Sequence, residues 1–263
     1  MLRRSAVLWI LAFLLTAASA VYQRMTGPSH PKTGRVRIAG KEIRYRLPRS
    51  SSGGDAVIRV PAISSETRGT LAWKRYKTRD PWTYVEMTRD GEELAGRLPQ
   101  QPPAGKLAYR VILQDGTERV TLGGEPVVIR FRGEVPLPIL VLHVAAMFGS
   151  MLVGTRAGLE FFRPQPQYRT LLLWTLGLLT VGGLVLGPIV QKYAFGAYWT
   201  GWPFGTDLTD NKTAAAWLAW VIAWLKLRRG PERAGPWVLG AAVVMMAVFA
   251  IPHSVLGSEL KYE

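Results

Sequence analysis

Histidine is the side chain best suited to proton transfer and metal ligation near neutral pH. This chain has three, His30, His143 and His253, and no cysteine. The missing thiols exclude a disulfide framework, a thiol nucleophile, a thiolate metal site and covalent haem attachment. Any metal or haem iron would need imidazole, thioether, phenol, amine or carboxylate ligands. His30 lies in a stretch with glycine and proline on either side, where a surface role is the default. His143 sits in an apolar run, roughly 12 Å below its external end at helical rise. An ionisable group at that depth faces the bundle interior and finds a partner. Met147, Ser150 and Gly154 follow at helical spacing. His253 comes directly after Pro252, at the close of the last apolar segment. Two imidazoles on different helices can hold a b-type haem (haem b) between them. Their unequal depth weighs against this, and the competing reading is two structural, hydrogen-bonded histidines.

A second polar group lies in GAYWTGWPFGTDLTDNKT, from Gly196 to Thr213. Asp207, Thr209 and Asp210 immediately precede an apolar segment, where short polar side chains accept hydrogen bonds from the first amides of a helix. The functional alternative is a carboxylate cluster of Asp207, Asp210 and Glu259 with His253, able to take a proton or a hard cation. Lys212 is placed to neutralise one of these acids, and Lys192 with the loop carboxylates offers an ion or proton pathway. Tyr198, Trp199 and Trp202 suit the aromatic belt at a membrane surface, or the wall of a haem site. No phosphate-binding glycine motif, zinc-protease motif or serine triad is present. The residues therefore point away from an enzyme.

These groups need elements to hold them. Nearly half the residues are hydrophobic (48%), yet the formal net charge is +15, a mixture that implies separate apolar and basic blocks. The N-terminus has Arg3 and Arg4, an apolar run from Ala6 to Tyr22, and Ala18-Ser19-Ala20. This is the pattern of a signal peptide cleaved after Ala20 or of a retained anchor helix over 1–22. Four more apolar segments follow, near Val135–Thr155, Leu171–Val190, Lys212–Leu227 and Pro236–Ile251. At about 16 to 21 residues they match a hydrocarbon layer, the last two being short. Arg156, Arg163 and Arg169 occupy one short connection, and Lys226, Arg228, Arg229 and Arg233 another. Basic short loops mark the cytoplasmic side, which puts residues 23–134, the loop 191–211 and the C-terminus outside. Gly183 and Gly187, and the series Ala146, Ser150 and Gly154, allow close packing within one chain or between subunits of an oligomer. Trp217, Trp220 and Trp224 form a stripe that packs or faces lipid.

Between Lys32 and Glu134 the hydrophobic period becomes two. RVRIAGKEIRYRL alternates across a hairpin at Gly40-Lys41, while Asp90-Gly91 and Asp115-Gly116 mark tight turns. The spacing predicts about seven to nine short strands in a β-sandwich. Leu107, Tyr109, Val111 and Leu113 make the clearest inward face; Leu71 and Trp73 share another, which ends at Arg75. Arg35, Arg37, Arg44, Arg46, Lys74, Arg75 and Lys77 make basic strand faces, either simply solvated or open to an acidic partner or lipid headgroups. No basic recognition helix or compact Lys/Arg run is present, so nucleic acid is not an expected partner.

The stretch LPQQPPAGKLAYRVILQDG, from Leu98 to Gly116, resembles fibronectin type III and immunoglobulin-like modules of bacterial surface proteins. That resemblance implies a module that binds or positions another macromolecule. RMTGPSHPKTG, QKYAFGAYWTGWPFGTDLTDNKT and IPHSVLGSELKY resemble a group of uncharacterised bacterial membrane proteins that pair such a domain with four membrane helices. FGAYW, the later Asp207 and AAAWLAW weakly resemble the tryptophan-rich external loops of cytochrome c assembly proteins, which implies haem handling. The insertion TGWPFG and the absence of a compact Trp-Asp pairing depart from that pattern.

Together these readings give a membrane α-helical bundle of four helices plus an N-terminal signal or anchor helix, with an extracytoplasmic all-β immunoglobulin-like sandwich. Its domains are 1–22, 23–134 and 135–263, in the bacterial inner membrane. The expected partners are membrane lipid and a protein held by the external domain, as for an assembly or accessory subunit. Haem-dependent electron transfer or haem handling and an ion pathway are the alternatives.

Overall fold

The computed structural model describes residues 2–252, 260 and 262. In chain order the elements are α1 (Leu2–Thr26), β1 (Lys32–Ile38), β2 (Lys41–Leu47), β3 (Ser50–Ser52), β4 (Ala56–Pro61), β5 (Arg68–Arg75), β6 (Thr83–Glu86), β7 (Thr88–Asp90), β8 (Glu93–Leu98), β9 (Lys106–Asp115), β10 (Glu118–Thr121) and β11 (Val127–Arg132). Helices follow as α2 (Leu137–Leu159), α3 (Tyr168–Leu179), a π-helical stretch (Thr180–Leu186), α4 (Gly187–Phe195), α5 (Leu208–Arg229) and α6 (Gly235–Ala250). Two compact units result. One gathers the described residues of 1–28, 135–193 and 197–258; the other gathers those of 29–134, 194–196 and 259–263.

The second unit is sandwich-like. A six-stranded sheet runs β3, β11, β9, β5, β6, with β10 also on β9; a three-stranded sheet runs β4, β8, β7; β1 and β2 form a hairpin of their own. The alternation that predicted strands also chose their faces. Leu107, Tyr109, Val111 and Leu113 of β9 are all fully buried and meet Ile58 and Val60 of β4, Leu94 and Leu98 of β8, and Ile38 and Leu47 of the hairpin in one core. On β5, Leu71 is fully buried, Trp73 half-buried, and Arg75 reaches outward to grip Asp80 with two hydrogen bonds of 2.7 and 3.1 Å. Tyr109 places a hydroxyl in this core and satisfies it by donating to the Pro48 carbonyl at 2.8 Å. The hairpin turns at Ala39-Gly40, one residue before the expected Gly40-Lys41, because Lys41 already pairs with Ile38; both turn residues have positive φ, the backbone a two-residue β-turn of this hand demands.

The first unit is helical. Ser5–Thr26, Leu137–Phe162 and Tyr168–Phe195 are each long and apolar enough to cross a membrane, while α6 is apolar but shorter. The expected segment Lys212–Leu227 forms most of α5, which carries Asp210 and Lys212 in its first turns and Lys226, Arg228 and Arg229 in its last. Small residues set the packing: a Cβ on Gly154 of α2 would stand 2.5 Å from the Met245 methyl of α6 and 3.0 Å from the Trp220 ring of α5, so a larger residue there must displace them. Trp220 is fully buried and donates its indole N–H to the Met245 sulfur, and Trp217 donates to Thr180. The tryptophan stripe is thus a packing stripe in these two members. The series Ala146, Ser150 and Gly154 is buried within the chain.

Proline explains the π-helical stretch. Pro188 has no N–H for the Leu184 carbonyl one turn back, and its ring crowds that carbonyl. The Gly187 N–H accordingly bonds the Gly182 carbonyl, five residues back.

Where β5 crosses β8, a Cβ on Gly96 would lie 2.8 Å from Leu71 Cδ2 and 3.2 Å from Met87 Cγ. Gly96→Ala should therefore wedge the two sheets apart and destabilise the β unit by about 1–3 kcal/mol. A lowered urea midpoint, followed by tryptophan fluorescence on the full chain, checks this; an unchanged midpoint refutes it.

Candidate functional site

The acidic loop residues converge on the start of α5. Asp207 is its N-cap, with Oδ1 accepting the Thr209 N–H at 2.8 Å. Asp210, one turn in, is buried, and its Oδ2 accepts the Thr200 N–H at 2.6 Å, the Gly201 N–H at 2.9 Å and the Gln191 side-chain N–H at 3.1 Å. Thr200 Oγ1 lies 3.1 Å from Asp207 Oδ2 and 3.4 Å from Asp210 Oδ2, and accepts from Gln191 at 2.7 Å. Gln191 comes from α4, so one carboxylate ties the preceding helix, two amides of the connecting loop and the next helix together. A carboxylate that takes three donors in this way holds the loop and both helices in one arrangement. The loop backbone then closes with the Asp207 N–H on the Thr200 carbonyl and the Trp202 N–H on the Asn211 side chain.

Lys212 is buried and donates to the Ile251 carbonyl at 2.6 Å, just beyond the end of α6. Gln23 of α1 donates to the Phe249 carbonyl at 2.7 Å. A cation and an amide thus satisfy carbonyls that end a helix, the arrangement favoured by the helix dipole. Lys192 lies over the Tyr198 ring at 5.4 Å. Trp199 donates its indole N–H to the Trp202 carbonyl, leaving Trp202 and Phe204 as the exposed tips, at 78% and 83%.

His143 sits against the π-helical stretch. Its Nδ1 is 2.9 Å from the Gly182 carbonyl, the same carbonyl that takes the displaced Gly187 N–H. Gly182 admits α2 this closely, since a Cβ there would press on Ala146 and Met147. Along α4, Gly187, which faces the His143 ring, and Gln191, which holds Asp210, are one turn apart, about 6 Å. His253 and Glu259, the other members expected of the haem pair and the carboxylate cluster, lie outside the described residues.

No family model, curated protein or solved structure matches the chain. Among the described residues, no three of His, Asp and Glu gather as a metal site.

One polar centre escaped the sequence reading. Glu160 is fully buried at the end of α2, 2.5 Å from Arg156 and 2.9 Å from Arg163, and accepts the Gln167 N–H at 2.7 Å. Arg156 is itself 2% exposed and stacks over Trp9 of α1. The spacing i, i+4 and i+3 is a sequence signal for such a centre, but arginines in a short connection serve equally as markers of orientation.

Removing the Asp210 carboxylate strands buried amides. Asp210→Ala should cost about 2–4 kcal/mol and raise hydrogen exchange at Thr200 and Gly201 by more than tenfold. Asp210→Asn, which keeps an acceptor, should sit between. Exchange unchanged in the alanine variant would overturn the clamp.

Proposed function

We propose that this chain is an integral membrane protein whose helical unit anchors an extracytoplasmic β domain that binds or positions a partner, as an assembly or accessory subunit. The observation carrying this reading is the reversed polarity of the helices. Ser150, Thr155 and Thr175 are buried among them, while Val141, Leu142, Trp174 and Val243 point outward and are more than half exposed. Apolar side chains in that position call for hydrocarbon around them, not water. The immunoglobulin-like description, the outside placement of the β domain and the inner-membrane location belong to the same proposal. They are supported by the strand pattern and by the basic connections after α2 and α5. The first helix is retained as an anchor in this reading, because Gln23 and the Trp9–Arg156 stack tie it to α6 and α2.

If this is right, alkaline carbonate leaves the chain in the membrane pellet, and protease added to spheroplasts removes residues 29–134. Photo-crosslinkers on the β domain in intact cells then capture a partner, and deleting the domain abolishes whatever phenotype the gene supports. Carbonate extraction of the chain removes the membrane reading. A silent crosslinking scan together with a harmless deletion removes the partner reading.

One observation favours a second reading. With Nδ1 of His143 held by the Gly182 carbonyl, Nε2 is the nitrogen available to a ligand, the division of roles expected of a haem-ligating imidazole. The detergent-solubilised, haem-supplemented protein should then show a Soret band that His143→Ala abolishes. The absence of the band in the unaltered protein sinks this reading.

A further inference from the structure

The β1–β2 hairpin stands apart from the other strands in how it distributes charge. Its register pairs Thr33 with Arg46, Arg35 with Arg44, and Arg37 with Glu42. One face carries Ile38, Ile43 and Leu47 into the core. The other gathers four arginines, at positions 35, 37, 44 and 46, and a single acid, Glu42, on a ribbon two strands wide. Arg35 and Arg44 are directly opposite, where like charges destabilise a sheet. Glu42 relieves only part of this: it reaches Arg35 at 3.5 Å, with both side chains more than half exposed. Two strand arginines outside the hairpin are held much closer, Arg59 by Asp90 at 2.6 Å and Arg75 by Asp80 at 2.7 Å. Among the described residues, Arg37, Arg44 and Arg46 have no carboxylate within ion-pair distance.

The arginines also frame a recess. Thr33, Arg35, Arg44 and Arg46 line an open depression of about 400 Å³ with Gly34 and Tyr45. Gly34 is required by that arrangement, because the Tyr45 ring fills the space a Cβ would occupy. Guanidinium forks match the oxygens of phosphate in pairs, and this recess offers three of them.

The covalent chain supplies the anion. Lys32 begins the hairpin six residues after the last residue of α1, a reach of at most about 20 Å. At the other end, Leu137 begins α2 five residues after the last residue of β11. Given the membrane reading above, on which this inference rests, the two tethers keep the start of the hairpin at Lys32 and the end of β11 within about 20 Å of chain that leaves the membrane. A tether of that length lets the arginines near the base of the hairpin reach phosphate headgroups.

We infer that the outward face of the β1–β2 hairpin docks on anionic phospholipid headgroups, with Arg35, Arg44 and Arg46 closing around a lipid phosphate. Each basic residue at such a surface is worth about fivefold in binding, and three together on the order of a hundredfold. The interaction weakens with salt, because the pairs form at an open surface.

The chain has no cysteine, so Thr33→Cys places a single reporter on this face of the full-length protein. The labelled chain is reconstituted in nanodiscs of phosphatidylcholine alone, or of two parts phosphatidylcholine to one part phosphatidylglycerol. The expected result is several-fold protection from an aqueous quencher in the anionic discs only. High salt reverses it, and the combined Arg35→Gln, Arg44→Gln and Arg46→Gln variant loses it. That variant changes only exposed positions, and an unchanged melting curve confirms its fold. Equal accessibility in both discs overturns the inference, as does protection that survives the triple substitution. Protection by inorganic phosphate in phosphatidylcholine discs would assign the recess to a soluble anion and overturn lipid docking. Protection by polyglutamate but not by anionic discs would assign it to an acidic polypeptide, with the same consequence. A chain that stays soluble and outside the discs defeats the membrane reading itself, whereas one that inserts with its label open defeats this inference alone.

Discussion

A buried carboxylate is tolerated only where several donors converge on it, and of the three in the helical unit, Glu160, Asp207 and Asp210, two tie separate segments together. Glu160 and Asp210 lie beyond opposite ends of the stretch Tyr168–Phe195, each in or beside the connection to a neighbouring helix. At Glu160 the donors are two arginines and one backbone amide. At Asp210 they are two backbone amides and a glutamine. The difference in donors produces a difference in behaviour. An ion-paired centre holds side chains from α2 and its loop through charge, so its removal leaves cations buried without a counterion. An amide-bound centre instead fixes the path of a loop, because the groups it holds are the loop's own backbone.

Between those two ends, the helix is bent to its task by one imino acid. Pro188 displaces a hydrogen bond, the π-helical stretch absorbs the displacement, and the freed geometry lets one carbonyl serve both Gly187 and His143. Three glycines at 182, 183 and 187 make this affordable sterically: a Cβ on Gly182 would strike α2, and one on Gly183 would strike Thr213 of α5. The close packing of three helices and the placement of His143 therefore share a cause. Replacing the proline would alter both, since a regular helix would return the Gly182 carbonyl to the amide of residue 186.

Much of this was legible in the residues. Strand alternation marked the inward face of β9, Asp-Gly pairs marked turns, and apolar runs located the helices, because each of these depends on short-range periodicity. Asp207 was readable as a cap for the same reason. What escaped depends on distant partners. The i, i+4 pair Arg156–Glu160 is part of a buried centre to which Trp9 and Ser5, more than a hundred residues away, contribute contacts with Arg156. Asp210 looks like any acid in a first turn, and nothing local says that two amides ten and nine residues upstream will turn toward it. Basic alternation in the first hairpin was visible, but the opposition of Arg35 to Arg44 follows from a register fixed by Ala39-Gly40.

The loop from Gly196 to Thr213 joins these themes. Its acids and threonine are consumed in building a rigid turn, which explains why so polar a segment can join two apolar helices without fraying. Rigidity in turn gives its aromatic tips a fixed position. Trp199 is held by its indole N–H on the Trp202 carbonyl, so Trp202 and Phe204 are presented outward by a braced backbone rather than left on a flexible one. Exposed aromatics on a braced turn lose little conformational freedom when they enter an interface, whether a headgroup layer or a protein groove. The polar half of the loop is therefore best understood as the support for its apolar half.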